Sequence, residues 1–222
     1  MNALELLIIG KKKLENKNIS SSRIDSELLL SKILKKRRED ILCNLDQKIS
    51  SNNCYAFRKM IKRRLENEPI AYIFKNKEFW SKNFLVSRDT LIPRPETELM
   101  VDYLLKIYRG KKIFILDVGT GSGCILISLL DELIDSSGIG IDISKKALEI
   151  ADLNSQIQNI SKIKFLKRSI NDKFTQKFDL VVSNPPYINS ADIKNLSDDI
   201  KRYEPRIALD GGNDGLDLIK KV

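Results

Sequence analysis

Three short stretches hold residues whose types and spacing can do chemistry. In Asp117-Val118-Gly119-Thr120-Gly121-Ser122-Gly123, the apolar run Ile113 to Val118 leads into three alternate glycines, and a helical pattern follows. Glycine lets a backbone take positive φ and approach a ligand closely. The free N–H groups and dipole at a helix start attract a carboxylate. Cys124 stands where the dinucleotide fingerprint needs its last glycine, which disfavours a nicotinamide cofactor. Asp117, Gly119, Thr120, Gly121 and Gly123 are the candidate binding residues of this loop. Asp142 ends the next apolar run, where a carboxylate can accept both ribose hydroxyls of a nucleoside. Ser144 is the better candidate to cap the helix that follows.

The third stretch is Asn184-Pro185-Pro186-Tyr187. Two prolines fix an extended loop and deny it two N–H donors. The Asn184 amide oxygen and the Pro185 carbonyl can accept both N–H bonds of a planar NH₂ group, with Tyr187 packed on its plane. Such a clamp orients a weak amide or exocyclic amine nucleophile. The chain has no His, so the usual general base near neutral pH is absent, and the chemistry must come from orientation and a dry site.

Composition narrows the setting. Cys43, Cys54 and Cys124 are odd in number and widely spaced, against a disulfide framework or a zinc site. A reducing compartment, and hence the cytoplasm, fits better. No stretch reaches the 18 or so apolar residues of a membrane span, and the start of the chain does not read as a signal peptide. Nothing signals an oligomer, so monomer is the default. Residues 1–75 carry 17 Lys or Arg against 9 Asp or Glu, most of the net charge of +9. That excess is either a basic face for an acidic or RNA-linked partner or a solvated lysine-rich surface. No aromatics interleave with it as a stacking platform requires.

These motifs need elements to position them. Residues 1–75 read as an all-helical domain, with no Gly between Lys11 and Lys75. The Ser20-Ser21-Ser22 run caps a helix from about Arg23 whose apolar face is Ile24, Leu28, Ile33 and Leu34, widened by Leu29 and Leu30. A second helix runs from about Asn52 to Asn67, with Tyr55, Met60, Ile61 and Leu65 available for burial, until Pro69 ends the pattern. Residues 76–93 read as a β-hairpin turning near Ser81-Lys82-Asn83. A helix from Glu96 to about Tyr108 follows. Then strands at 113–118, 138–143, 163–167 and 178–183 alternate with helices at 122–133 and 145–155. This alternation predicts an α/β, Rossmann-like domain over 94–222, a parallel sheet with helices on both faces.

Gly-x-Gly-x-Gly preceded by Asp117 resembles the first motif of class I methyltransferases. Asn184-Pro185-Pro186-Tyr187 after such a core occurs in N6-adenine DNA methyltransferases and in protein glutamine methyltransferases. Three further segments are similar to the release-factor glutamine N5-methyltransferase (HemK-type) family. They are Leu91-Ile92-Pro93-Arg94-Pro95-Glu96-Thr97-Glu98, Tyr203-Glu204-Pro205-Arg206 and Gly211-Gly212-Asn213-Asp214-Gly215-Leu216. Ile24-Asp25-Ser26-Glu27-Leu28-Leu29-Leu30 resembles its N-terminal helical domain.

The resemblance implies S-adenosylmethionine as cofactor, with Asp117, Gly119, Thr120, Gly121, Gly123, Asp142 and Asn184 binding it. It implies methylation of the glutamine in the Gly-Gly-Gln motif of class 1 release factors. Asn184, Pro185 and Tyr187 would be catalytic, and Pro186 would join them in holding substrate. No metal and no nucleic acid is required. Arg94, Pro95 and Glu98 would shape the site's wall without a catalytic role. Two departures stand out. Ser169 occupies the position where the family usually has an acid near the adenine, with Asp172 nearby. The family's domain also continues with about three more strands, so the domain here is expected to be incomplete, ending in the helix after a fourth, exposed edge strand. The rival readings are a nucleic-acid amine methyltransferase and a truncated binding fragment without turnover.

Overall fold

Asn2 and Glu5 exchange side-chain and backbone hydrogen bonds at the start of the chain, a capping box that opens α1 (Ala3–Glu15). The computed structural model describes residues 1–222 in two units, Met1–Phe74 and Lys75–Val222. In the first, α1 is followed by α2 (Ser22–Leu34), α3 (Arg38–Leu42), α4 (Ser51–Leu65) and α5 (Ile70–Phe74). Leu6, Leu14, Leu29, Leu30, Ile41 and Phe57 form its core.

Two apolar faces differ from the expectation. Ile24 is half exposed, and α2 instead buries Ser22, Asp25 and Ser26 beside Leu29 and Leu30. Asp25 and Ser26 can turn inward because each has a partner. Arg64 Nε donates to Asp25 at 2.7 Å, and Ser26 Oγ donates to the Leu7 carbonyl at 3.2 Å. On α4, Tyr55 is exposed and Cys54 and Phe57 take the interior.

Ion pairs take up the arginines of the basic runs and leave the net positive charge of the unit unchanged. Arg23 and Arg38 pair with Glu27, Arg37 with Asp40, Arg63 with Glu68 and Arg64 with Asp25. The basic runs Lys35-Lys36-Arg37-Arg38 and Lys62-Arg63-Arg64 therefore spend their arginines inside the unit.

The second unit begins with the hairpin β1 (Asn76–Phe79) and β2 (Lys82–Leu85). Its turn lies at Trp80-Ser81, one residue before the expected place, and both residues have positive φ. The register explains the shift. Pairing Phe79 with Lys82 and Lys77 with Phe84 puts Phe79 and Phe84 on one face, where both are buried with rings 6.1 Å apart.

After α6 (Glu96–Tyr108), the strands β3 (Phe114–Val118), β4 (Ser137–Asp142), β5 (Ile163–Lys167) and β6 (Leu180–Ser183) form a parallel sheet in the order β5-β4-β3-β6. Helices α7 (Cys124–Glu132) and α8 (Lys145–Ile157) make the crossovers. One face packs Ile115 and Val182 against Leu126, Ile127 and Leu129 of α7 and Val101 and Leu105 of α6.

The opposite face carries no crossover helix, contrary to the expectation. There Leu116, Val118, Ile139 and Ile141 lie under Phe174, Phe178 and Ile170, from the connection between β5 and β6. That connection forms no helix, and its Ile170, Phe174 and Phe178 side chains supply the cover instead. The final segment differs too. A short α9 (Asp198–Tyr203) follows β6, and the expected terminal helix is a single 3₁₀ turn at Ile219–Lys221.

Candidate active site

The chain runs β3, β4, β5 toward one edge and then returns to place β6 on the other side of β3. Ligands of open α/β sheets bind at such a switch point, beyond the carboxyl ends of the strands. Val118 pairs with Ser183 in the ladder. Gly119 and Asn184 therefore leave neighbouring strands at the same level, about 4.8 Å apart. A cavity of about 360 Å³ opens there.

Of the residues expected in the site, Gly119, Thr120, Gly121, Asp142, Asn184, Pro185 and Pro186 line this cavity. Gly119 and Gly121 have φ of +72° and +56°, and the space beside Gly119 is open. The loop is held from behind by the Ile141 carbonyl, which accepts the N–H groups of Gly119 and Thr120 at 2.9 Å each. Asp142 accepts the Gly121 N–H at 3.0 Å on one oxygen and the Ser144 N–H at 2.8 Å on the other. Each oxygen keeps lone-pair capacity toward the cavity. Ser144 caps α8 by accepting the Ala147 N–H.

Asp117, Gly123 and Tyr187 stand outside the cavity lining. Asp117 is fully buried behind the loop, where its Oδ2 accepts the Thr120 hydroxyl at 2.7 Å and its Oδ1 has no partner. Burial pushes its pKa up to about 7, against the opposing Thr120 hydrogen bond and helped by the Asp142 charge. Gly123 serves packing, since a Cβ there would crowd Ile127 and Ala151. Tyr187 is 64% exposed. Cys124 does line the cavity, and burial drives its thiol up to about 12, so it stays protonated and unreactive.

Sequence reasoning passed over Arg168, Ile170, Asn171 and Thr97 as wall residues, whereas it had placed Arg94 in the wall and singled out Ser169. Arg168, Ser169, Ile170 and Asn171 form the side beyond β5. Asp172 does not join them; its carboxylate accepts the Ser169 N–H at 3.0 Å. Arg94 and Thr97 line the opposite side. Arg94 Nη2 donates to Glu204 Oε1 at 2.7 Å, and the other Glu204 oxygen accepts the Ile92 N–H at 3.2 Å, with the Glu204 side chain 1% exposed. The two flanking segments that carried the resemblance are thus one structure, a strap closed over 110 residues of sequence.

The Gly-Gly-Asn-Asp-Gly segment is the other buttress. Gly211 donates to the Ile188 carbonyl at 2.8 Å, Ile188 to the Leu209 carbonyl at 3.1 Å, and Ser190 to the Gly212 carbonyl at 2.9 Å. Gly215, at φ +75°, lies so close that a Cβ would run into the Tyr187 carbonyl. No spacing in the sequence announces these partners.

A parallel sheet ordered around β3, with a glycine loop and an Asn-Pro-Pro-Tyr loop meeting at its switch point, defines an S-adenosylmethionine-dependent methyltransferase of class I. Family models agree in both units: the PrmC N-terminal domain matches residues 5–74 and a methyltransferase domain matches residues 110–204. Release factor glutamine methyltransferase of Buchnera aphidicola subsp. Baizongia pistaciae is 40% identical over 210 residues, covering 93% of this chain and 74% of the relative. The protein of the same name from Nitratidesulfovibrio vulgaris is 36% identical, with 96% and 73% covered. The hMettl16 catalytic domain, solved with an MAT2A 3'UTR hairpin, shares the fold at a TM-score of 0.54 and 15% identity, over 87% of this chain and 71% of that one. The chain belongs to the release factor glutamine methyltransferase family.

The residues present fit S-adenosylmethionine. The open space over Gly119, the free start of α7 for a carboxylate and Asp142 for the ribose suit its parts. Among the side chains, no group of His, Cys, Asp or Glu is placed to hold a metal ion. No helix is long and apolar enough to cross a membrane.

Proposed function

We propose that this chain transfers a methyl group from S-adenosylmethionine to the side-chain amide nitrogen of the glutamine in the Gly-Gly-Gln motif of class 1 release factors. The observation that carries this reading is the Val118–Ser183 pairing, which brings the glycine loop and Asn184-Pro185 to one cavity. When bound, S-adenosylmethionine supplies an electrophilic methyl group on a cationic sulfur. Asn184 Oδ1 and the Pro185 carbonyl accept the two amide N–H bonds, which turns the nitrogen toward the cofactor side and raises its electron density. Pro186 keeps the loop extended, and Tyr187 packs on the amide plane from the exposed rim.

With the cofactor bound, Asn184 and Pro185 would hold the amide nitrogen for a transfer in which the methyl carbon–nitrogen bond forms as the methyl carbon–sulfur bond breaks. Charge disperses in that transition state, so a dry, oriented site helps more than a strong base. The surplus proton on nitrogen leaves afterwards to water. The helical unit Met1–Phe74 takes the role of holding the release factor. The reaction belongs in the cytoplasm, where the three free cysteines remain reduced.

The test is transfer of labelled methyl to a purified release factor, to its variant with Ala in place of the motif glutamine, and to naked RNA and DNA. Label on the wild-type factor alone is the expected result. Label on nucleic acid instead would replace the substrate class. Label on nothing, with the chain folded and cofactor bound, would leave only a binding protein.

A further inference from the structure

The stretch from Arg94 to Glu98 is pinned at both ends. Arg94 is held by buried Glu204, and Glu98 Oε1 accepts the Trp80 N–H at 3.0 Å. Between these anchors, Thr97 lies in the first turn of α6 and on the cavity wall, where Asn184 also stands. Asn184 Nδ2 donates to Thr97 Oγ1 at 3.4 Å. The neighbouring hydroxyl does not compete, because Ser183 Oγ donates to the Val118 carbonyl at 2.8 Å.

A carboxamide has a donor end and an acceptor end of nearly the same shape. Only the oxygen end can accept an N–H from an incoming amide. Turned the other way, Asn184 would meet the substrate NH₂ with its own NH₂, and the clamp would repel what it must hold. Something must break that symmetry. The Asn184 backbone alone does not, since the side chain can rotate by half a turn. A hydroxyl can donate or accept, so Thr97 fixes the sense of the amide through the contact made here, in which Oγ1 accepts from Nδ2 and its own hydrogen points away from Asn184.

We propose that Thr97 is a positioning residue for the transfer. Its hydroxyl accepts from Asn184 Nδ2 and thereby presents Asn184 Oδ1 to the substrate amide. The inference rests on the reading of Asn184 and Pro185 as an amide clamp. The hydrogen bond is long here, and such contacts tighten when substrate completes the site. The pinned ends of the segment make Thr97 a fixed reference rather than a mobile contact. The role explains why a helix-starting segment nearly 90 residues before the catalytic loop, by the 87-residue separation of this pair, belongs to the site.

Thr97→Val removes the hydroxyl and keeps the branched shape, whereas Thr97→Ser keeps the hydroxyl. The measurement is single-turnover methyl transfer to release factor, with cofactor affinity, the KM for release factor and the thermal midpoint measured alongside. The expected result for Thr97→Val is a rate lowered on the order of 10- to 100-fold, with cofactor affinity and KM within about threefold and the midpoint unchanged, and recovery in Thr97→Ser. In an Asn184→Ala background, Thr97→Val should cost nothing further, because the group it orients is gone. Wild-type rates in Thr97→Val, equal loss in Thr97→Ser, or the same additional loss in the Asn184→Ala background would each overturn the inference. If Asn184→Ala itself transfers methyl normally, the clamp reading falls and this inference with it. If only Thr97→Val is silent, the clamp stands and the inference alone fails.

Discussion

The two halves of the cavity are built by different means. On the cofactor side, the parts are local and largely backbone: a glycine loop hung from the Ile141 carbonyl, Asp142 beside it and the start of α7. On the clamp side, the loop itself is four residues, but what holds it comes from far away. Arg94 meets Glu204 across 110 residues, Thr97 meets Asn184 across 87, and Gly215 packs on the Tyr187 carbonyl. The difference teaches that binding a cofactor needs a motif, whereas orienting a weak nucleophile needs a frame.

The largest expected effect breaks the cofactor half. With its pKa raised from 3.8 to about 7, Asp117 keeps in the folded chain a proton that the unfolded chain has lost. Its contribution to stability is therefore full below about pH 4 and is lost as pH rises to about 7. At 1.36 kcal/mol per unit, ionised Asp117 costs up to roughly 4 kcal/mol above that range. Denaturant titration of the ligand-free Asp117→Asn variant should show higher stability than the parent at pH 8, a smaller gain at pH 5 and none at pH 3.5. The same variant should bind S-adenosylmethionine more weakly, a trade of stability for function.

A buttress substitution sharpens the contrast from the other side. Gly215→Ala combines positive φ with a clash at the Tyr187 carbonyl. It should slow transfer by about 10²-fold by displacing the clamp, while calorimetric titration finds cofactor affinity within a few-fold of the parent. Glu204→Gln should still accept the Ile92 N–H but lose the charge pairing with Arg94. Breaking a buried pair costs about 3–5 kcal/mol, and Arg94 is 30% exposed, so the loss should be nearer 2. Denaturant unfolding checks it, and KM for release factor should rise more than the cofactor constant. The smallest effect lies in the helical unit. Lys11→Ala removes an exposed pair with Glu15 and should change stability by less than about 0.5 kcal/mol.

The same division decides what could be read from the sequence. The glycine loop, Asp142 and Asn184-Pro185-Pro186 were legible because each is a short run at the end of an apolar strand. Ser144 was legible as a cap for the same reason. The direction in which Asp117 faces was not, because a carboxylate at a strand end can point to ligand or to core, and only packing decides. The inward turn of Asp25 and Ser26 depended on Arg64 and the Leu7 carbonyl, partners that helical periodicity does not reveal. The second face of the sheet is covered by Ile170, Phe174 and Phe178, whose four-residue spacing would suit a helix although the connection that carries them forms none. Asp172 looked like a substitute acid but lies outside the cavity lining, with its carboxylate accepting the Ser169 N–H.

Asn184 stands between the two halves, and its sequence context assigned it to both. Asn184→Ala is therefore the most direct test. Cofactor affinity and single-turnover transfer to release factor should be measured on the same preparation. The account predicts cofactor binding within about threefold of the parent and transfer lowered on the order of 10²- to 10³-fold. Transfer within tenfold of the parent, or cofactor binding lost in step with transfer, would contradict it.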